Sequence, residues 1–161
     1  MIFITVGTQL PFDRLVSAVD AWARDHPDLK FFAQVGPTAN PPTNLPWVSF
    51  VPPSRADHLI RQATLIVAHA GMGSVLTALR YHRPILIMPR LAALGEHRND
   101  HQLATARWLS TRPGVAVAWD ETEVAGMLDK RQLLTAGPQL PETASGPLVD
   151  RLKRVVQGLP P

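Results

Sequence analysis

The residues best suited to chemistry fall in three short stretches, and the most specific spacing is His69-Ala70-Gly71-Met72-Gly73-Ser74. This stretch joins an apolar run at 65–68 to a helical pattern reaching about Tyr81. Glycines at a strand-to-helix turn let the backbone approach a ligand closely. The first N–H groups of a helix lack intrahelical partners and carry the positive end of its dipole, so the turn suits a phosphate. Ser74 adds a hydroxyl donor and His69 a ring N–H. The same residues also fit a plain tight turn, with His69 ending a strand and Ser74 capping the helix. Two nucleotide signatures are excluded: no third glycine completes the dinucleotide fingerprint, and no Gly-Lys-Ser/Thr makes a P-loop.

The second stretch, residues 95–102, is Gly-Glu-His-Arg-Asn-Asp-His-Gln, a concentration of donors and acceptors suited to a polyhydroxylated ligand. His97 and His101, four apart, have zinc-ligand spacing. No Glu follows His97 and no third ligand is evident, so a metal site is not expected. The alternative is a solvated helix start. The third stretch, Gly7-Thr8-Gln9, leads into Leu10-Pro11-Phe12-Asp13; Thr8 and Gln9 either face a shared crevice or serve as an ordinary helix cap. No Ser-His-Asp order or nucleophile elbow can be assembled. His26, His58 and His82 read as surface residues, and Trp22, Trp47, Trp108 and Trp119 as core or interface anchors.

The elements that must position these residues alternate in type. Strands are expected at 2–6, 31–35, 48–51, 65–68, 85–88 and 115–119, and helices at 12–24, 54–62, from the glycine turn to 81, 96–110 and 121–129. The first helix places Leu15, Val16, Val19 and Trp22 on one face, and 96–110 turns Leu103, Ala106 and Leu109 inward. Residues 37–46 form a loop, since Pro41 and Pro42 remove two donors. The expected fold is therefore α/β, a doubly wound, Rossmann-like parallel sheet of about six strands with its ligand beyond the strands' carboxyl ends. Residues 1–135 form the binding domain. Residues 136–161 complete it as a Pro/Gly-rich segment and a closing helix at 148–156.

The chain has 161 residues and no cysteine, carries 16 Lys+Arg against 13 Asp+Glu, and is 45% hydrophobic. That composition suits one globular domain, too short for two enzyme lobes. It excludes disulfides and thiolate metal sites, and with no leader or membrane-length apolar run it fits the cytoplasm. All but three of the bases are Arg, scattered rather than clustered, so nucleic-acid binding is not expected.

Together, Thr5-Val6-Gly7-Thr8-Gln9, the His69–Ser74 turn and Asn99-Asp100-His101-Gln102-Leu103-Ala104 resemble the carboxyl-terminal, nucleotide-sugar-binding half of the GT-B glycosyltransferases of family 28, over roughly residues 1–129. The likeness extends to the small stand-alone subunits of two-part transferases. One kind serves dolichol-linked glycan synthesis with UDP-N-acetylglucosamine; the other is its bacterial exopolysaccharide counterpart, often glucuronosyl-transferring.

The resemblance implies that backbone at Phe50 and Val51 meets the uracil. It implies that His69, Gly71, Gly73 and Ser74 hold the donor diphosphate, with His69 available to stabilise the leaving group. Gln102, with Asp100 or His101, reads sugar hydroxyls, and Gly7, Thr8 and Gln9 face the donor. Relatives carry a Glu for the ribose where this chain has Thr77, and Glu96 is a candidate substitute. Arg90 or Arg98 would assist the diphosphate or hold a glucuronate carboxylate; the alternative is two exposed arginines without a ligand.

The implied protein is a donor-binding subunit with UDP-sugar as co-substrate and no cofactor. The base and the lipid-linked acceptor would be supplied by a membrane-anchored partner that recruits this chain to the cytoplasmic face. A UDP-sugar-sensing regulatory module and a scaffold that binds no nucleotide remain the alternatives.

Overall fold

In the computed structural model, which describes residues 1–139, strands and helices alternate along the chain. The strands are β1 (Ile2–Thr5), β2 (Phe31–Gln34), β3 (Trp47–Val48), β4 (Leu65–His69), β5 (Ile85–Met88) and β6 (Val115–Val117). The helices are α1 (Asp13–Arg24), α2 (Pro53–Gln62), α3 (Met72–Arg80), α4 (His101–Leu109) and α5 (Glu121–Asp129). All pairings are parallel, in the order β3-β2-β1-β4-β5-β6. Sequence order therefore runs outward in both directions from the β1–β4 pair. At such a reversal the loops leaving the two strands diverge onto opposite faces and open a crevice at the carboxyl ends.

Strands buried on both faces must be largely apolar, and β1, β4 and β5 are, with Thr5 and His69 the polar exceptions at the carboxyl ends of β1 and β4. Side-chain alternation divides the core into two layers. Ile2, Ile4 and Val6 pack on one face with Leu15, Val16, Val19 and Trp22 of α1 and Val124 and Leu128 of α5. Phe3 and Ile66 pack on the other with Leu59 and Ile60 of α2, Val75 and Ala78 of α3, and Ala106 and Leu109 of α4. Trp22 is thus a core residue, whereas Trp47, Trp108 and Trp119 are exposed.

Two expected boundaries are corrected. The third strand is Trp47–Val48, not 48–51, because its neighbour β2 stops at Gln34. Gly36 turns at φ +65, its N–H bonds the Ser49 carbonyl, and Pro52 and Pro53 follow. The fourth helix begins at His101, not Glu96. Residues 96–100 are held by their own side chains, in competition with helix formation. Glu96 accepts from Leu91 N–H at 2.9 Å, Asp100 from Ala92 N–H at 2.8 Å, and Asn99 from His101 N–H at 3.3 Å. On α4 the buried set is Gln102, Ala106 and Leu109, with Leu103 half-buried. The expected helix at 148–156 lies outside the described residues.

Candidate functional site

A cavity of about 300 Å³ occupies the crevice where the sheet order reverses. It is lined by residues 6–10 after β1, His69 at the end of β4 and Gly71 after it, Arg90 after β5, and His97, His101 and Gln102 around the start of α4. All three stretches singled out in the sequence therefore reach one cavity, since each follows a strand of the same parallel sheet.

The centre is the imidazole of His69, which lies between two glycines. A Cβ on Gly7 would stand 2.9 Å from its Cε1, and one on Gly71 would overlap its Nε2. Both glycines are required by the ring they enclose, and Gly7 additionally turns at φ +79. Burial, then the nearby Arg90 guanidinium, push the imidazole down to about 4, with His97 adding to the shift and a backbone contact to Thr5 opposing it. At neutral pH the ring is uncharged. Its Nδ1 is sealed and finds no hydrogen-bond partner among the described residues.

Beside it, the α3 N-terminus is open. Gly71 is the cap residue, and no side chain among the described residues caps the end. His69 ends β4, as the plain-turn reading has it, whereas Ser74 lies inside α3 and is not its cap. The N–H groups of Met72, Gly73 and Ser74 are left without intrahelical acceptors, which is the arrangement an anion requires. A Cβ on Gly73 would meet nothing within 4 Å, so the space above it is free. Thr77, one turn on, donates to the Gly73 carbonyl at 2.7 Å, so its hydroxyl proton is already committed.

The β1 loop is braced from below by residues that carried no site signal in the sequence. Thr5 Oγ1 accepts from Gly7 N–H at 3.3 Å and donates to Gln34 Oε1 at 3.4 Å, while Gln34 Nε2 donates to the Gly7 carbonyl at 3.1 Å. Both side chains are buried polar groups in strands, and each finds its partner only when β1 and β2 pair. Thr8 and Gln9 project outward and are exposed; α1 is capped at Phe12, so Thr8 is not its cap.

Arg90 is a strut. It is 3% exposed, and its Nη2 donates to the Val6 and Leu10 carbonyls at 2.7 Å each, its Nη1 to the Glu96 carbonyl at 3.4 Å. Its backbone N–H bonds Gln102 Oε1 at 3.1 Å, which turns the Gln102 amide so that its NH₂ is the end left over. One residue thereby ties the β1 loop, the 91–100 loop and α4 together.

Arg14 does the same from outside. It holds Glu96 through Nε and Nη2, each at 2.8 Å, Glu121 at 2.8 Å and the Pro89 carbonyl at 3.1 Å. This network raises the Arg14 guanidinium further, through Glu96 first.

The other expected residues divide in physical role. Glu96 and Asp100 spend their carboxylates on Arg14 and on loop N–H groups, and among the described residues no carboxylate lines the cavity. Arg98 is exposed and does not line the cavity. Phe50 is exposed on the loop after β3, whereas Val51 is buried against Phe3 and the α2 residues, and neither lines the cavity. The His97 and His101 rings pack edge to face at 4.4 Å, and among the described residues no group of three or more candidate ligands is arranged around a metal. The cavity is therefore a donor-rich, carboxylate-free concavity next to an unsealed helix end, matched to a phosphorylated ligand that carries many acceptors.

A family model described as the glycosyltransferase family 28 C-terminal domain matches residues 1–113. No curated protein matches the chain. Among solved structures, the fold is similar to the glycotransferase of kitacinnamycin (TM-score 0.60, 16% identity, 81% of this chain and 34% of that one). It is similar to VinC, a glycosyltransferase solved with dTDP (0.56, 19%, 98% and 41%). It is also similar to ALG13, solved by NMR (0.59, 20%, 94% and 93%). The chain spans about a third of the length of the kitacinnamycin protein and nearly the whole of the ALG13 structure.

Proposed function

Because this chain belongs to the glycosyltransferase family 28 C-terminal domains, we propose that it is the donor-binding subunit of a two-component, UDP-sugar-dependent hexosyltransferase. Its acceptor is lipid-linked, in exopolysaccharide synthesis, and is presented at the cytoplasmic face by a membrane-anchored partner. The observation that carries the reading is the His69 imidazole enclosed by Gly7 and Gly71 beside the uncapped start of α3. As the glycosidic bond breaks, negative charge collects on the departing diphosphate. Helix-end N–H groups and a neutral ring N–H, both already in place, stabilise it without reorganising solvent. Gln102 and His101 face the sugar, and the Phe50–Val51 backbone faces the base.

The acceptor side is supplied from elsewhere. Thr8 and Gln9 present themselves outward at the mouth of the cavity, where a second lobe would close over the donor. No helix among the described residues is long and apolar enough to cross a membrane, so the anchor belongs to the partner in this proposal. Co-expression with a membrane partner should yield transferase activity that neither chain shows alone; full activity of this chain by itself would end the two-component reading.

The transferred sugar is proposed to be glucuronate, with Arg98 as the guanidinium open to its carboxylate. Arg90 favours the second reading, N-acetylglucosamine, because its N–H groups are already given to three carbonyls. Calorimetry of the assembled pair with UDP-glucuronate and UDP-N-acetylglucosamine separates them: preference for the acid that falls in Arg98→Ala supports glucuronate, and equal or reversed preference supports the amide sugar.

A further inference from the structure

Besides His69, two further imidazoles line the cavity, His97 and His101, and their rings meet edge to face with centroids 4.4 Å apart. The other ionisable groups of the lining are already settled. Arg90 directs its Nη groups at the Val6, Leu10 and Glu96 carbonyls. His69 is held uncharged at neutral pH, its imidazole pushed down to about 4 by burial and then by Arg90. Residues 6–10 carry no ionisable side chain, and among the described residues no carboxylate lines the cavity. An imidazole is the side chain that can gain a charge near neutral pH, so the charge of this cavity is left to the His97–His101 pair. The charged groups around the pair are engaged elsewhere. Glu96 is held by Arg14, which also holds Glu121, and Asp100 accepts from the Ala92 N–H at 2.8 Å. Arg98 is exposed and outside the lining.

Local geometry decides which nitrogen a ligand meets. Asn99 Oδ1 accepts from the His101 backbone N–H at 3.3 Å and also from the His101 ring at Nδ1. An oxygen acting as acceptor there requires Nδ1 to carry a hydrogen. In the neutral ring Nε2 is then a bare lone pair, able to accept from a sugar hydroxyl and unable to donate to an anionic oxygen. A proton on Nε2 reverses this, making both nitrogens donors and giving the ring the charge that a phosphate or carboxylate oxygen pairs with. Two imidazoles this close repel when both are charged, so the pair takes one proton rather than two. The His97 Nδ1 is sealed without a hydrogen-bond partner among the described residues, whereas His101 is exposed and paired at Nδ1, so the proton belongs on His101. His101 also opens α4, and the partial positive charge of that helix end draws the same anion.

Resting on the donor reading of this cavity, we propose that His101, packed against His97, takes up a proton from solvent as the donor binds and hydrogen-bonds through Nε2 to an anionic oxygen of the donor. That oxygen belongs to the diphosphate or to a carboxylate on the sugar. A proton bound together with the ligand makes affinity rise as pH falls, by up to about tenfold per unit.

Calorimetry of the full chain with UDP-glucuronate and UDP-N-acetylglucosamine, at neutral pH in two buffers of different ionisation enthalpy, reads the protons taken up on binding. UDP-sugars suit the measurement because their phosphates lack the ionisation near neutrality that a terminal phosphate brings. Uptake of about one proton is expected in the wild type, lost in His101→Gln and kept in His97→Phe. Uptake with UDP-N-acetylglucosamine assigns the anionic oxygen to the diphosphate; uptake with UDP-glucuronate alone assigns it to the carboxylate. Binding without proton uptake, or uptake that survives in His101→Gln, overturns the proposal and leaves the donor reading standing. Loss of the uptake in His97→Phe would place the proton on His97 and overturns it as well. No binding of either sugar removes the donor reading and the proposal with it.

Discussion

His69 shows how a single side chain sets the identity of its neighbours. Its ring occupies space that would otherwise hold a Cβ at Gly7 and at Gly71, so both positions are restricted to glycine before any ligand is considered. In Gly71→Ala the ring must swing away, which the end of a side chain can do at modest cost. The fold should survive while UDP binding weakens at least about tenfold, or ~1.4 kcal/mol, by calorimetry. Gly73→Ala is the informative contrast. Its Cβ meets no protein atom, so the melting temperature should hold or rise. Any loss of UDP affinity there reports the phosphate itself coming against that backbone.

The ring's titration is a second consequence at this scale. The unfolded chain protonates His69 near 6.5, the native protein only near 4. Between those values the unfolded state binds the extra proton, so stability falls as pH drops from 6.5 towards 4, by at most about 1.4 kcal/mol per unit. Urea unfolding at a series of pH values should show a shallower slope in His69→Asn than in the wild type. Identical slopes would mean that the ring is not desolvated as described.

Among the elements, the sheet positions the site and the loops are held by arginines. β1 and β4 deliver Gly7 and His69 side by side because the strand order reverses between them, and β5 delivers Arg90 beneath both. Arg90→Met keeps the apolar stem and removes every bond to Val6, Leu10 and Glu96. Leaving those carbonyls without their donor should cost about 3 kcal/mol, or roughly 10 °C in melting temperature, and loosen the β1 loop. An unchanged melting temperature would show that the strut carries no weight.

The strands were legible because fully buried strands read as apolar runs. The glycine turn was legible because its spacing has few other uses. The start of α4 was not: the helical pattern extends through Glu96-His97-Arg98-Asn99-Asp100, and only tertiary partners show that these side chains bind Arg14 and the 91–92 backbone instead. Thr5 and Gln34 were invisible for the same reason, since a polar residue in a strand declares its role only once its cross-strand neighbour is known. An arginine at a strand's carboxyl end looks available to a ligand in the sequence, and only the fold shows the three carbonyls around Arg90.

At the scale of the whole molecule, the proposed nucleotide-sugar donor rests on the family and the cavity together. The cavity lies at the reversal of the sheet, is rich in donors, and is bounded by an open helix end. The account predicts discrimination by phosphate. UDP should bind more tightly than UMP, and uridine least, because helix-end N–H groups and the His69 ring act on the diphosphate.

The direct measurement is calorimetric titration of the purified chain with UDP, UMP and uridine, repeated in His69→Ala and Gly71→Ala. A single site with affinity in the order UDP, UMP, uridine, whose preference for UDP collapses in both variants, is the predicted result. Absence of UDP binding at millimolar concentration, or binding that is indifferent to both variants, would contradict the assignment of this cavity to the donor.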